Sequence, residues 1–217
     1  MRILLLTLSL FTTLSLSAQF GGYGAYNLNE IRYDANTLGE PTDFQLDNGY
    51  EVGLHYWFRL PKQRVEFYPT VYAATAAANI TGARQWEYGF QLRTNLYLFD
   101  FAEDCDCPTF GKQGPALEKG FFLQLAPGYA LYRPDGGRIG LLEKSSGFTF
   151  GGGVGLDIGV TNLLTVTPFA GVRYGTGGIV NFETTDVNGQ VTDGLRGRLT
   201  TVHLGLSATF RLDHKRY

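Results

Sequence analysis

The sequence predicts an all-β chain folded as an eight-stranded antiparallel up-and-down transmembrane β-barrel. Three observations predict it. Apolar residues recur with a period of two over long stretches, eight times. Each stretch runs to ~10–14 residues, whereas globular strands peak at ~5–6 and a tilted membrane strand needs ~9–11. All five lysines (Lys62, Lys112, Lys119, Lys144 and Lys215) fall in connections or at the end of the chain, and none inside an alternating stretch.

Before the first stretch stands "MRILLLTLSLFTTLSLSAQF". Arg2 is a short positive region, Leu4 to Leu14 is apolar, and "SLSA" offers small residues for cleavage after Ala18. Residues 1–18 are therefore expected to be a signal peptide, too short for the ~20 apolar residues of a spanning helix. Residues 19–217 form the barrel domain. They provide enough chain for one domain.

The first stave is Phe20 to Leu28, rich in glycine. The second, "GYEVGLHYWFRLP", sets Tyr50, Val52, Leu54, Tyr56, Phe58 and Leu60 against Glu51, Gly53, His55, Trp57 and Arg59. The third sets Val65, Phe67, Pro69 and Val71 against Glu66, Tyr68, Thr70 and Tyr72. The fourth sets Trp86, Tyr88, Phe90, Leu92 and Leu96 against Glu87, Gly89, Gln91, Arg93 and Tyr97. The fifth opposes Phe121, Leu123, Leu125 and Tyr129 to Phe122, Gln124, Gly128 and Tyr132. The sixth opposes Phe148, Phe150, Val154 and Leu156 to Thr149, Gly153 and Asp157. The seventh opposes Val166, Pro168, Val172 and Tyr174 to Thr167, Phe169 and Arg173. The eighth opposes Val202, Leu204, Leu206 and Phe210 to His203, Gly205, Ser207 and Arg211. Pro69, Pro127 and Pro168 sit inside staves, where each removes a ladder donor.

Alternation does not say which face is inside. The aromatics do: Tyr50, Trp86, Tyr88, Tyr129, Phe148, Phe150 and Tyr174 fall at one end of the apolar face, and Phe58, Phe67, Phe121 and Phe210 at the other. These are two interfacial girdles, so the apolar face meets lipid. The polar face then lines a narrow lumen. Its charges, Glu51, Arg59, Glu66, Glu87, Arg93, Asp157, Arg173 and Arg211, must pair there. The predicted connections are 29–48, 77–83, 133–146 and 175–198 at one end. At the other they are 61–63, 100–119 and 161–163. Except for 100–119, this is the long-outside, short-inside habit of outer-membrane barrels.

"APGYALY", "PFAGVRYG" and "HLGLSATF" resemble strands of the small outer-membrane barrel families, the OmpA/OmpX-like and PorT-like group. His203, Gly205, Ala208 and Phe210 resemble the signal read by the barrel-assembly machinery, although here "RLDHKRY" follows it. The resemblance implies the cell outer membrane of a Gram-negative-type cell. It also implies outer-membrane lipid and the assembly machinery as partners, with room for a periplasmic or surface protein. Its members include assembly factors, adhesion proteins and a few lipid-modifying enzymes.

Little else carries chemistry. The formal net charge of −2 gives no electrostatic case for nucleic acid. Cys105 and Cys107 are open to three readings: a local disulfide, free thiols, or a bridge to a metal or partner. No histidine stands near them, and neither a metal site nor a cofactor is predicted. His55, His203, Ser207 and Asp157 or Glu51 can be drawn as a hydrolase triad, but a lumen hydrogen-bond network accounts for them better. The expected role is non-enzymatic, whether structural, surface-interacting or in assembly. A lipid-modifying enzyme and a narrow, porin-like channel are the alternatives.

Overall fold

The computed structural model describes residues 19–33, 45–59, 64–79, 83–98, 120–135, 144–161, 163–185 and 191–210. It contains β1 (Phe20–Tyr33), β2 (Leu46–Tyr56), β3 (Phe58–Arg59), β4 (Val65–Ala78), β5 (Arg84–Tyr97), β6 (Phe121–Asp135), β7 (Ser145–Leu156), β8 (Ile158–Gly159), β9 (Leu164–Thr185) and β10 (Val191–Phe210). Consecutive strands pair antiparallel, and β10 pairs with both β9 and β1, so the sheet closes on itself. β3 continues β2 and β8 continues β7, which leaves eight staves. Closure satisfies every neighbour ladder without an edge, the condition for a sheet to sit in lipid.

The interruptions trace to the prolines. The ladder between β2/β3 and β4 passes from His55↔Thr70 to Phe58↔Phe67, leaving Pro69 without a partner on that side while it faces Leu92 on the other. Pro127 faces Phe150, and the β5–β6 ladder skips from Gln91↔Gly128 to Thr94↔Leu125. Pro168 faces Leu206, and the ladder to β7/β8 skips from Gly155↔Phe169 to Ile158↔Val166. Register is the same on both sides of each gap, so none is a bulge. Each is a missing N–H donor. The partner strands bond elsewhere: Trp57 N–H donates to Gln19 O at 2.9 Å, and Asp157 N–H to Gly120 O at 2.9 Å.

The two faces fall as the alternation predicts. Tyr50, Val52, Leu54, Phe90, Leu125, Phe148, Phe150 and Leu206 are exposed on the outside, and Glu51, His55, Gln91, Thr149 and Arg173 are buried inside. One predicted boundary is corrected. The stretch 175–198, read as a connection, is mostly strand: β9 runs to Thr185 and β10 starts at Val191. Smaller extensions carry β1 to Tyr33 and β6 to Asp135. On β1 the period of two continues into the extension with opposite chemistry, while the β9–β10 ladder shifts register between Thr192 and Thr200, and a search for apolar residues on one face stops in either case.

On β1 the outward series Phe20, Tyr26, Leu28 gives way to Glu30 and Arg32, while the inward series Tyr23, Asn27 gives way to Ile31. At this end of the barrel Ile31, Leu46, Ala76, Ala78, Ala83, Ala130, Tyr132, Ile179 and Leu199 form an apolar core inside the staves. The Gln45 side chain ties it to the rim, accepting from Ile31 N–H at 2.8 Å and donating to Ile31 O at 3.4 Å. The barrel is thus inverted over its membrane section and of water-soluble polarity at the end carrying the predicted outer connections.

Candidate functional site: the lumen network

Cross-strand register builds the centre of the lumen. Glu51 on β2, Ala74 on β4 and Glu87 on β5 lie in one row, Glu51↔Ala74↔Glu87. The small Ala74 leaves a space between two carboxylates. Arg173 fills it from β9, which in a ring of eight staves is the wall opposite β4. Its Nη2 donates to Glu51 Oε2 at 2.8 Å, and its Nε reaches Glu87 Oε1 at 3.2 Å. Arg93 on β5 adds a second guanidinium, 3.4 Å from Glu51 Oε1. Two cations meet two anions, so the cluster is neutral, as buried charge requires.

Tyrosines complete the shell. Tyr23 donates its hydroxyl to Glu51 at 2.6 Å and Tyr72 to Glu87 at 2.6 Å. The Arg93 guanidinium lies 4.1 Å from the Tyr23 ring centroid, and that of Arg173 lies 4.5 Å from Tyr72. Each arginine thus has a carboxylate at its edge and a ring on its face, which suits a planar, weakly hydrated ion. Glycines make the space: a Cβ on Gly53 would overlap the Tyr23 ring, and one on Gly89 the Tyr72 ring.

A second cluster lies nearer the other end. Glu66 accepts from Trp57 Nε1 at 2.7 Å and from Tyr68 OH at 2.7 Å. The Tyr97 hydroxyl lies between Glu66 and Asp157, 2.8 Å from the first and 2.7 Å from the second. Thr167 donates to the other Asp157 oxygen. Between the clusters is a cavity of about 30 Å³ bordered by His55, Arg93, Asn95, Gln124, Asp157 and Ser207. A water needs ~10–15 Å³, so this holds about two.

Of the charges named from sequence, the structure brings Glu51, Glu87, Arg93 and Arg173 into one cluster and Glu66 and Asp157 into another. The Arg59 side chain and all of Arg211 lie outside the described residues, as do Cys105, Cys107 and the predicted signal peptide. His203 is buried in the lumen, Phe210 is exposed at the rim opposite Leu164, and Gly205 and Ala208 lie between them on β10. Among the described residues no hydrogen bond joins His55 or His203 to Ser207, although His55, Asp157 and Ser207 border the same cavity. His55 Nε2 pairs with Thr209 at 3.0 Å, and Ser207 donates to Gly22 O at 3.4 Å. Sequence reasoning did not single out Tyr23 and Asn27, which both hydrogen-bond Glu51. Their signal was present, because the period of two counted from Phe20 turns both inward.

No protein-family description and no curated protein matches the chain. Solved structures do match in fold. Neisserial surface protein A is 13% identical with a TM-score of 0.49, covering 90% of this chain and 97% of its own. Ail, the attachment invasion locus protein of Yersinia pestis, is 10% identical with a TM-score of 0.41, covering 90% and 100%. OprG from Pseudomonas aeruginosa is 11% identical with a TM-score of 0.40, covering 89% and 96%. At such identities a likeness concerns the fold alone. What places the chain is its own geometry, with staves long enough to cross a bilayer, an apolar belt outside and a neutralised ion cluster within. The chain is a closed eight-stranded antiparallel β-barrel of the outer-membrane type.

Proposed function

We propose that the chain is a non-enzymatic outer-membrane barrel with a plugged lumen, which serves a structural, surface-interaction or assembly role through its ends. The observation that carries this reading is Arg173, which crosses the lumen and joins Glu51 to Glu87. Leaving one side of such a buried pair without its partner costs about 3–5 kcal/mol, so an open lumen is at most a minor state and the resting barrel is closed. Eight staves already leave an interior that side chains can fill. The reading also takes His203, Gly205, Ala208 and Phe210 as the contact for the assembly machinery.

The test is conductance. The purified barrel in a planar bilayer should give no steady current. Stable, ion-selective single-channel steps from the unmodified protein would reject the plugged reading in favour of a channel. The enzymatic alternative predicts a mass change in outer-membrane lipid between a wild-type and a deletion strain, and the present reading predicts none.

A further inference from the structure

The outside of the barrel carries a net positive patch directly beyond the aromatic belt. On β5 the lipid-facing series Phe90, Tyr88, Trp86 ends in Arg84. On β6 the series Tyr129, Leu131 ends in Arg133, and Lys144 immediately precedes β7, where Phe148 and Ser146 face outward. All three cations are exposed. Register groups them: Trp86 pairs with Arg133 and Arg84 with Asp135, so Arg84 and Arg133 are diagonal neighbours. Tyr132 pairs with Ser145, and one step further along both strands Arg133 faces Lys144.

Like charges placed opposite or diagonally on one face repel. Asp135 is near, yet among the described residues none of the three cations makes an ion pair or side-chain hydrogen bond. The contrast with the opposite wall is direct. There Arg32 pairs with Glu30 at 3.4 Å, and Arg198 donates to Tyr174 OH at 3.2 Å. Asp135 offsets one of the three charges, and the net positive charge left among the described residues suits an anion from outside the chain. The height of the patch says which kind. It adjoins Trp86, Tyr88, Tyr129 and Phe148, side chains that sit where acyl chains give way to headgroups.

We propose that Arg84, Arg133 and Lys144 form a docking site for the phosphate of a lipid headgroup, with Trp86, Tyr88 and Tyr129 against its acyl portion. The site rests on the membrane-barrel reading above. Arginine and lysine suit it because guanidinium forks bind phosphate bidentately and the ammonium adds a point charge.

The probe is phosphatidic acid, which exposes a phosphomonoester, titrated against the folded barrel in detergent micelles with retained lipid counted by native mass spectrometry. Each surface cation contributes roughly a fivefold gain in anionic-lipid capture. Arg133→Gln should therefore weaken retention roughly fivefold, and the triple change Arg84→Gln, Arg133→Gln, Lys144→Gln more steeply. Arg32→Gln, on the compensated wall, should leave retention unchanged. Raising salt should weaken the wild type toward the triple variant. Equal losses from Arg32→Gln and Arg133→Gln would overturn the site, as would displacement by inorganic phosphate at matched concentration, because a free anion would then suffice. Insertion into phosphatidylcholine vesicles is read separately. A barrel that inserts but does not discriminate between the two variants refutes the docking site alone, and one that never inserts refutes the membrane reading with it.

Discussion

The two ends of one strand obey opposite rules in this barrel. Along β1, Tyr26 and Leu28 face outward and Asn27 inward, yet a few residues further Glu30 and Arg32 face outward and Ile31 inward. The backbone geometry does not change. What changes is the medium outside, and with it the side chains that can occupy each face. In the membrane section the exterior is dissolved in lipid, so the polar residues are inside and must neutralise one another. Beyond the belt the exterior is in water, and the interior becomes an ordinary apolar core of Ile31, Leu46, Ile179 and Leu199 with small alanines from β4 and β6. The first section is held by charge geometry and the second by packing, and substitutions should separate the two.

The largest expected effect lies at the centre of the ion cluster. Arg173→Leu leaves Glu51 and Glu87 facing each other across Ala74 with one cation fewer. The expected cost is about 3–5 kcal/mol, read as a lower urea midpoint for the gel band that stays compact without heating. Converting Glu87 as well, Arg173→Leu with Glu87→Gln, should recover much of the loss, because Arg93 and Glu51 then remain as a neutral pair. If this double variant were no better than the single, charge imbalance would not be the cause.

The packed end should respond to volume instead. Ile179 is fully buried, and Ile179→Ala should cost about 2–5 kcal/mol through lost contacts and a cavity. The same midpoint measurement applies, but here a carboxylate change elsewhere should bring no recovery. Pairing Ile179→Ala with Arg173→Leu tests independence. The two losses should add if the sections are held by separate forces, and a clear departure from additivity would mean that the lumen is one network from end to end.

How much of this was legible in the sequence follows from the same division. The membrane section was, because an unbroken apolar alternation from Val52 to Phe58 or from Trp86 to Leu98 has one physical reading once lysine is absent from it. Positions 51, 87, 93 and 173 were legible as lumen charges, but not who pairs with whom. That depends on stave register and on Ala74 lying between two glutamates, and neither is local. The extension of β9 and β10 to Thr185 and from Val191 was not legible, because Gly175, Gly177 and Gly178 carry no side chain to alternate and the β9–β10 register shifts between Thr192 and Thr200. The prolines were visible but unexplained. Their account needed the partner strand, since only pairing shows that the donor each one lacks would face a gap.

The smallest effect gives the sharpest test of the two media. Val154 is exposed on β7 within the belt, and Asn48 is exposed on β2 beyond it. Both point out of the barrel, and neither contributes to the lumen clusters. Val154→Arg places a charge against lipid and should cost about 2–4 kcal/mol near the midplane. Asn48→Arg places the same charge against water and should stay within about 0.5 kcal/mol of the parent. Asn48 lies at the irregularity between Leu46 and Gly49 and Val154 in a regular ladder, so each arginine variant is compared with the alanine variant at its own position, and that difference measures the solvent. Equal, small losses would mean that Val154 meets water and that the apolar belt is a surface for another protein. Equal, large losses would move the upper edge of the lipid beyond Asn48 and put the ring of Arg84, Arg133 and Lys144 inside the membrane, where unpaired cations are not tolerated.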